Sequence, residues 1–251
     1  MNLGTPIAKG NTANIYLYEN KIIKVFKDYF PDTESTYEAN KQRYAHSRGL
    51  PVPKIFDVTR IDGRQAIIME FVKGRTMGEI LTENIDLAEY YMNISIDKQQ
   101  KIHEIRTDAL EPMSAKLTRQ IKSAHLLDKG QKYALLQKLN AMTYEKKLCH
   151  GDFHLFNLML SDDQRVTIID WVDASAGDIR ADVYRTYLLY SRLSRELAEM
   201  YLRLYCQKSG LSRDEVFQWA PIIAGARLSE NVSSENTERL MRIIEHDCPL
   251  E

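Results

Sequence analysis

The sequence predicts an α+β protein of two lobes, a small β-rich one at the amino terminus and a larger, mostly helical one after it. Three observations predict this. β-branched and aromatic runs crowd the chain up to Val72, apolar residues recur at helical spacing beyond Gly74, and one hairpin-like stretch interrupts the helical part. "ANIYLY" (13–18) and "IIKVF" (22–26) read as strands joined by the turn-like pair Glu19-Asn20, and "AIIMEFV" (66–72) as a third. A helix is expected over "TESTYEANKQRYAHSRG", capped by Asp32 or Thr33 after Pro31 and stopped at Gly49. The expected division places an amino-terminal lobe at 1–72, a hinge at about 69–74 and a carboxyl-terminal lobe at 73–251. Tyr133, Leu136, Leu139 and Met142 mark one helix of the larger lobe, and the stripe from Tyr184 to Tyr205 marks others and reads as core. "NLMLSDDQRVTIIDWV" reads as two short strands around the turn-rich Ser161-Asp162-Asp163.

Composition narrows the function. The 251 residues include 44% hydrophobic ones, enough for a sizeable core, and 34 Lys and Arg against 35 Asp and Glu leave a net charge of −1. Such a balance provides no electrostatic footprint for nucleic acid or a membrane, so a small-molecule ligand is favoured. Cys149, Cys206 and Cys248 are odd in number and far apart, which argues against a disulfide framework and against a cysteine-based zinc site. No secretory leader pattern or membrane-length apolar run is present, and a cytoplasmic location is expected.

The stretch "LCHGDFHLFNLML" (148–160) carries the chemistry. His150 and His154, with Asp152 between them, read as a metal site; Asp152 followed five residues later by Asn157 reads equally as a phosphoryl-transfer loop. The hairpin after it brings Asp170, in "TIIDW", back toward that loop. Phosphoryl transfer needs this set: an aspartate to orient and partly deprotonate the acceptor hydroxyl, and an asparagine with a second aspartate to hold Mg²⁺ on the phosphate oxygens. The Asp152-to-Asn157 spacing matches the D-x-x-x-x-N of kinase catalytic loops.

His150-Gly151-Asp152 with His154 and Asn157, then Ile169-Asp170-Trp171, then "GDIRADVYRT" (177–186), resemble the aminoglycoside phosphotransferase and choline kinase family, whose fold is similar to that of protein kinases. The resemblance spans nearly the whole chain. It implies a two-lobed protein-kinase-like fold and an ATP- or GTP-dependent transfer of the γ-phosphate to a hydroxyl, with Asp152 as catalytic base and Asn157 and Asp170 as Mg²⁺ ligands. His-Gly-Asp stands where protein kinases carry His-Arg-Asp, and Asp170-Trp171-Val172 where they carry Asp-Phe-Gly. No activation-loop signature follows, which favours a small alcohol as acceptor over a protein.

The amino-terminal lobe offers the nucleotide's half of such a site. Lys24 in "IIKVF" would meet the phosphates, Glu38 on the following helix would position it, and Gly10-Asn11-Thr12 forms a turn whose amides would cover them. This turn keeps one glycine where G-x-G-x-x-G has three. By the resemblance, the Glu70 carbonyl and the Val72 amide would meet the adenine edge.

Blander readings stand beside these. Lys24 is equally an edge-strand solubiliser by type, His150 and His154 braces of their loop, Asp178 and Asp182 helix caps and loop braces. A catalytically silent kinase-like binding module and a metal-dependent hydrolase using "HGDFH" are the alternative functions; the first is disfavoured by the intact set Lys24, Glu38, Asp152, Asn157 and Asp170, the second by the lack of companion ligands. For the acceptor, Asp173 and Glu230 are the candidate contacts. The acid-rich end "LSENVSSENTERLMRIIEHDCPLE" follows the apolar helix "WAPIIAGARL" and suggests an amine-bearing alcohol. Aminoglycosides, choline-like, homoserine-like and other hydroxylated metabolites all fit.

Overall fold

A computed structural model describes residues 3–10, 12–232 and 235–247. In chain order, β1 is Ala8–Lys9, β2 Ala13–Tyr18, β3 Lys21–Phe26, α1 Glu34–Ser47, β4 Ile55–Ile61, β5 Arg64–Glu70, β6 Arg75–Thr76 and α2 Met77–Glu83. Helices α3 (Ala88–His103), α4 (Met113–Ser123) and α5 (Lys129–Ala141) follow, then the short strands β7 (Lys147–Cys149), β8 (Leu158–Leu160), β9 (Val166–Ile168) and β10 (Ser175–Gly177). The chain continues through α6 (Ile179–Leu193), α7 (Arg195–Ser209), α8 (Arg213–Phe217), α9 (Ala220–Arg227) and α10 (Thr237–Asp247).

Two compact units result. The first comprises Met1–Glu83 and Phe156–Val172, the second Asn84–Leu155 and Asp173–Glu251. The first unit thus runs past Val72 to take in β6 and α2, because β6 pairs with β8 in a second, three-stranded sheet with β9 and α2 packs on that strand.

The sheet of the first unit runs β1-β2-β3-β5-β4, all antiparallel. Glu19 and Asn20 both take positive φ, 46° and 59°, the backbone of a tight two-residue hairpin turn whose twist suits the strands. Alternation splits the apolar residues between two faces: Tyr16, Ile23, Val25 and Ala66 on one, Ala13, Phe26 and Ile67 on the other with Ala39 of α1. β4 escaped the sequence reading. Its Asp57, Thr59 and Arg60 dilute the apolar pattern, and a register shift between Ile55 and Asp57 breaks the alternation. Helix α1 begins and ends as expected, but Thr33 at its amino-terminal cap makes no side-chain capping bond.

The second unit is helical around α6, α7 and α9. Tyr184, Tyr201 and Tyr205 of the tyrosine stripe are fully buried, as their spacing implied. Every residue of α9 is buried, and Gly225 lets it approach α5 so closely that a Cβ there would lie 2.6 Å from the Leu135 side chain. Strands β7 and β10 pair antiparallel and fix the residues on either side of the catalytic-loop candidates.

Candidate active site

In the first unit, Lys24 sits on the central strand β3, between β2 and β5, so it is no edge-strand solubiliser. It shares the face of Phe26 that α1 covers, and Glu38 of α1 meets it: Lys24 Nζ donates to Glu38 Oε1 at 2.6 Å, both side chains being nearly buried. Burial works against the Lys24 ammonium, but the charges of Glu38 and Asp170 outweigh it and push its pKa up, so it stays protonated. Asp170 Oδ1 lies 3.8 Å from Lys24 Nζ.

The β8–β9 hairpin sets the two metal-ligand candidates side by side. Leu158 pairs with Ile168, and just beyond that pair the Ile169 amide donates to the Asn157 carbonyl at 3.0 Å, so Asn157 and Asp170 share one end of the hairpin. Asp170 takes a left-handed φ of 62°, costly for a non-glycine residue and least so for Asp or Asn. Its neighbours anchor it: Trp171 Nε1 donates to the Ile168 carbonyl at 3.1 Å, and Lys41 Nζ to the Val172 carbonyl at 2.6 Å. Asp170 Oδ1 is buried with no hydrogen bond among the described residues. A buried carboxylate oxygen without a donor, on the same hairpin end as an amide oxygen, suits a hard, oxygen-seeking cation such as Mg²⁺.

The turn between β1 and β2 is closed by the Gly10 amide donating to the Ala13 carbonyl at 2.9 Å, while the Thr12 carbonyl accepts from Lys27 at 2.9 Å. Asn11 lies outside the described residues. At the end of β5, Glu70 is engaged with Lys54 through both its amide (2.9 Å) and its carboxylate (3.1 Å). No described residue accepts from the Val72 amide.

The second unit holds Asp152. The loop before it is fastened by Asp182, which accepts from the amides of His150 (3.3 Å) and Gly151 (2.7 Å) and from His103 Nε2 (2.8 Å). The Asp152 amide donates to His150 Nδ1 at 3.3 Å, Arg185 Nε to the Gly151 carbonyl at 3.2 Å, and the Leu155 amide to Tyr190 Oη at 3.1 Å. Gly151 is required: its φ is 81°, and a Cβ would lie 2.5 Å from the Asp173 carbonyl oxygen. Burial pushes the Asp152 carboxyl up. The hydrogen bond and charge of His154, 3.4 Å away, with the charges of Arg185 and His150, more than reverse this and hold it well below the usual carboxylate range. His150 and His154 thus serve the loop. Among the described residues, the acid, thiol and imidazole groups that cluster within 4.8 Å of one another are instead His103, Cys149 and Asp182, and both His103 nitrogens are already engaged, Nδ1 with Tyr205 Oη at 2.6 Å.

Asp173 and Glu230 line one pocket of this unit, together with Lys116, Arg185 and Arg227. Lys116 Nζ meets Asp173 Oδ1 at 2.5 Å. Glu230 is not the bare carboxylate the acid-rich sequence suggested: Arg185 Nη2 reaches its Oε2 at 2.9 Å and Arg227 Nη1 meets the same oxygen. Glu235 is likewise held, by Arg227 at 2.8 Å and Arg239 at 2.9 Å. Glu251 and the Asp247 side chain lie outside the described residues.

Sequence reasoning missed Lys41, Lys116, Arg185 and Arg227 as site residues. Arg185 had a legible signal, since Asp178, Asp182 and Arg185 follow the i, i+4, i+7 rhythm of one helix face; the others have no local one.

The match to known proteins agrees with this geometry. The model of the phosphotransferase enzyme family matches residues 4–217. A sequence search of curated proteins finds no match. Among solved structures, a thermostable mutant of aminoglycoside phosphotransferase APH(4)-Ia, in a ternary complex with AMP-PNP and hygromycin B, is similar at 13% identity and a TM-score of 0.70, over 98% of this chain and 94% of that one. Choline kinase LicA from Streptococcus pneumoniae is similar at 15% identity and 0.64, over 95% and 91%, and aminoglycoside phosphotransferase APH(3'')-Id from Streptomyces rimosus at 15% and 0.64, over 90% and 92%. These likenesses show a protein-kinase-like fold, and the family match, which covers most of the chain, shows that it belongs to the phosphotransferase enzyme family and is a small-molecule kinase.

Proposed function

We propose that the protein transfers the γ-phosphate of ATP or GTP to a hydroxyl of a small amine-bearing alcohol. The carrying observation is the buried Lys24–Glu38 pair with Asp170 beside it, a charge arrangement with no packing purpose on a central strand. Lys24 would hold the phosphates, the Gly10-Asn11-Thr12 turn would cover them, and Glu70 and Val72 would meet the base, the Val72 amide being a donor without a partner among the described residues. Asn157 and Asp170 would hold Mg²⁺, which when bound neutralises phosphate charge as it builds in the transition state.

Asp152, kept ionised, would accept the hydrogen bond of the acceptor hydroxyl and aim its oxygen; so strongly acidic a carboxyl orients more than it deprotonates until the bond to phosphorus is forming. Asp173 supplies the carboxylate for an acceptor's ammonium. Its Oδ1 is taken by Lys116, and its side chain is 31% exposed.

No helix of the described residues is long and apolar enough to cross a membrane. The free thiols of Cys149 and Cys206 suit a reducing, cytoplasmic setting. The test is a nucleotide-consumption screen of purified protein against hydroxylated amines, polyols and aminoglycosides. Magnesium-dependent turnover that requires one of these alcohols supports the reading; nucleotide binding with no alcohol-dependent turnover would leave a silent binding module instead.

A further inference from the structure

Helix α1 is docked on its sheet mainly by polar contacts. Its buried residues are Ser35, Glu38, Ala39, Lys41, Gln42 and Ala45, so the only apolar ones are two alanines. Apolar contact has no direction and would let such a helix slide or turn against the strands. Hydrogen bonds fix both, and α1 has them along three successive turns, at Ser35, at Glu38, and at Lys41 with Gln42.

Glu38 stands in the middle of this series. One turn before it, Gln65 of β5 takes over the cap that Thr33 does not make: its Oε1 accepts from the Ser35 amide at 2.8 Å, and its Nε2 donates to the Pro31 carbonyl at 2.8 Å. One turn after it, Gln42 Nε2 donates to the Pro53 carbonyl at 2.7 Å, just ahead of β4. Gln65 and Gln42 are buried, at 6% and 2% exposure. Lys24 pairs with Ile67 in the β3–β5 register, and Gln65 lies two residues before Ile67. Gln65 and Lys24 therefore rise from one sheet face to adjacent turns of one helix.

Glu38 needs that support. Its Oε1 meets Lys24 at 2.6 Å, but its Oε2 is buried with no hydrogen-bond partner among the described residues. Lys24 alone hydrogen-bonds this carboxylate, so its place is the one its helix gives it. We propose that Gln65 and Gln42 are positioning residues for Lys24: by docking α1 on either side of Glu38 they set, through that carboxylate, where the Lys24 ammonium stands. The proposal rests on the reading in which Lys24 holds the nucleotide phosphates, and extends it to two buried amides whose own hydrogen bonds go to the chain.

The test compares Gln65→Met and Gln42→Met with the parent chain, each titrated with MgATP by calorimetry and with adenosine by ligand-observed NMR. Both substitutions keep the length of the side chain and remove its hydrogen bonds. Affinity for MgATP should fall about tenfold in Gln65→Met, and less in Gln42→Met, which gives up one bond to the main chain and not two. Affinity for adenosine, which has no phosphate for Lys24 to meet, should stay within about twofold of the parent's. Added to Lys24→Met with Glu38→Leu, Gln65→Met should weaken MgATP binding no further, since the link it acts through is gone. Equal losses for MgATP and adenosine, or the full loss on that double variant, would show a merely structural role and overturn the proposal. Unchanged MgATP affinity in both glutamine variants would overturn it as well. Urea unfolding verifies that each titrated variant is folded, and if Gln65→Met is not, Gln42→Met carries the comparison. A parent chain that binds no MgATP overturns the kinase reading and the proposal with it, whereas a parent that binds and variants that bind equally well overturn the proposal alone.

Discussion

Lys41 Nζ donates to the main-chain carbonyl of Val172 at 2.6 Å, so the helix that positions Lys24 through Glu38 also holds the segment that carries Asp170. Lys41 is one turn beyond Glu38 on α1, 4% exposed, with the ring of Tyr37 4.2 Å from its ammonium. Asp170 sits in a left-handed conformation that the surrounding structure must impose, and the Lys41 bond grips the chain two residues after it.

Lys41→Met should therefore loosen Asp170 more than it loosens the fold. The lost charge-assisted bond is worth about 1.5–3 kcal/mol. Nucleotide affinity measured with and without magnesium is the informative readout: the gain on adding magnesium should fall, and the magnesium-free affinity should change little. An unchanged gain would show that Lys41 does not hold the metal-ligand segment.

The Lys24–Glu38 pair makes a prediction with two arms. Lys24→Met alone strands a buried carboxylate and should cost about 3–5 kcal/mol in urea unfolding. Adding Glu38→Leu should restore most of that stability while leaving nucleotide binding weak, because an apolar pair replaces the ion pair but not its hold on phosphate. If the double variant bound nucleotide normally, Lys24 would be structural only.

Gly151→Ala tests the packing of the loop that carries Asp152. A Cβ at φ 81°, 2.5 Å from the Asp173 carbonyl, forces strain on a loop fastened by Asp182, Arg185 and Tyr190, and a loss of about 1–3 kcal/mol is expected. Turnover should fall further than stability alone explains, since the shift propagates to the adjacent Asp152.

Much of this was legible in the sequence because it is local. The Asp152-to-Asn157 spacing, the Glu19-Asn20 turn and the hairpin leading to Asp170 depend on neighbours along the chain, and period-two and helical apolar patterns revealed most elements. Glu230 was legible only as an acid; its two arginines lie 45 and 3 residues away in the chain, and only the packing of α6 against α9 brings Arg185 into reach. For the same reason an acid-rich end suggested a bare negative pocket, where Lys116, Arg185 and Arg227 in fact stand against Asp173, Asp182 and Glu230. The pairing of β6 with β8 was not legible, because β6 is two residues long and its partner comes much later in the chain.

The pH dependence follows from Asp152. Its folded pKa is depressed, so the stability it contributes is present above the unfolded value of about 3.9 and is lost only as pH falls through the lower folded value. Over the neutral range it stays ionised, and the acid limb of kcat/KM should not arise from it. Removing one of the groups that depress it, as in His154→Asn, should move any Asp152 limb to higher pH. A pH profile identical in the variant would show that His154 does not tune the carboxylate.

The central claim is that Asp152 acts on the acceptor and not on the nucleotide. Its most direct test is Asp152→Asn, with steady-state turnover on the best acceptor measured beside magnesium-nucleotide affinity. Turnover should drop about 10²- to 10⁴-fold with nucleotide affinity nearly unchanged; full turnover in the variant, or loss of nucleotide binding in step with turnover, would contradict it.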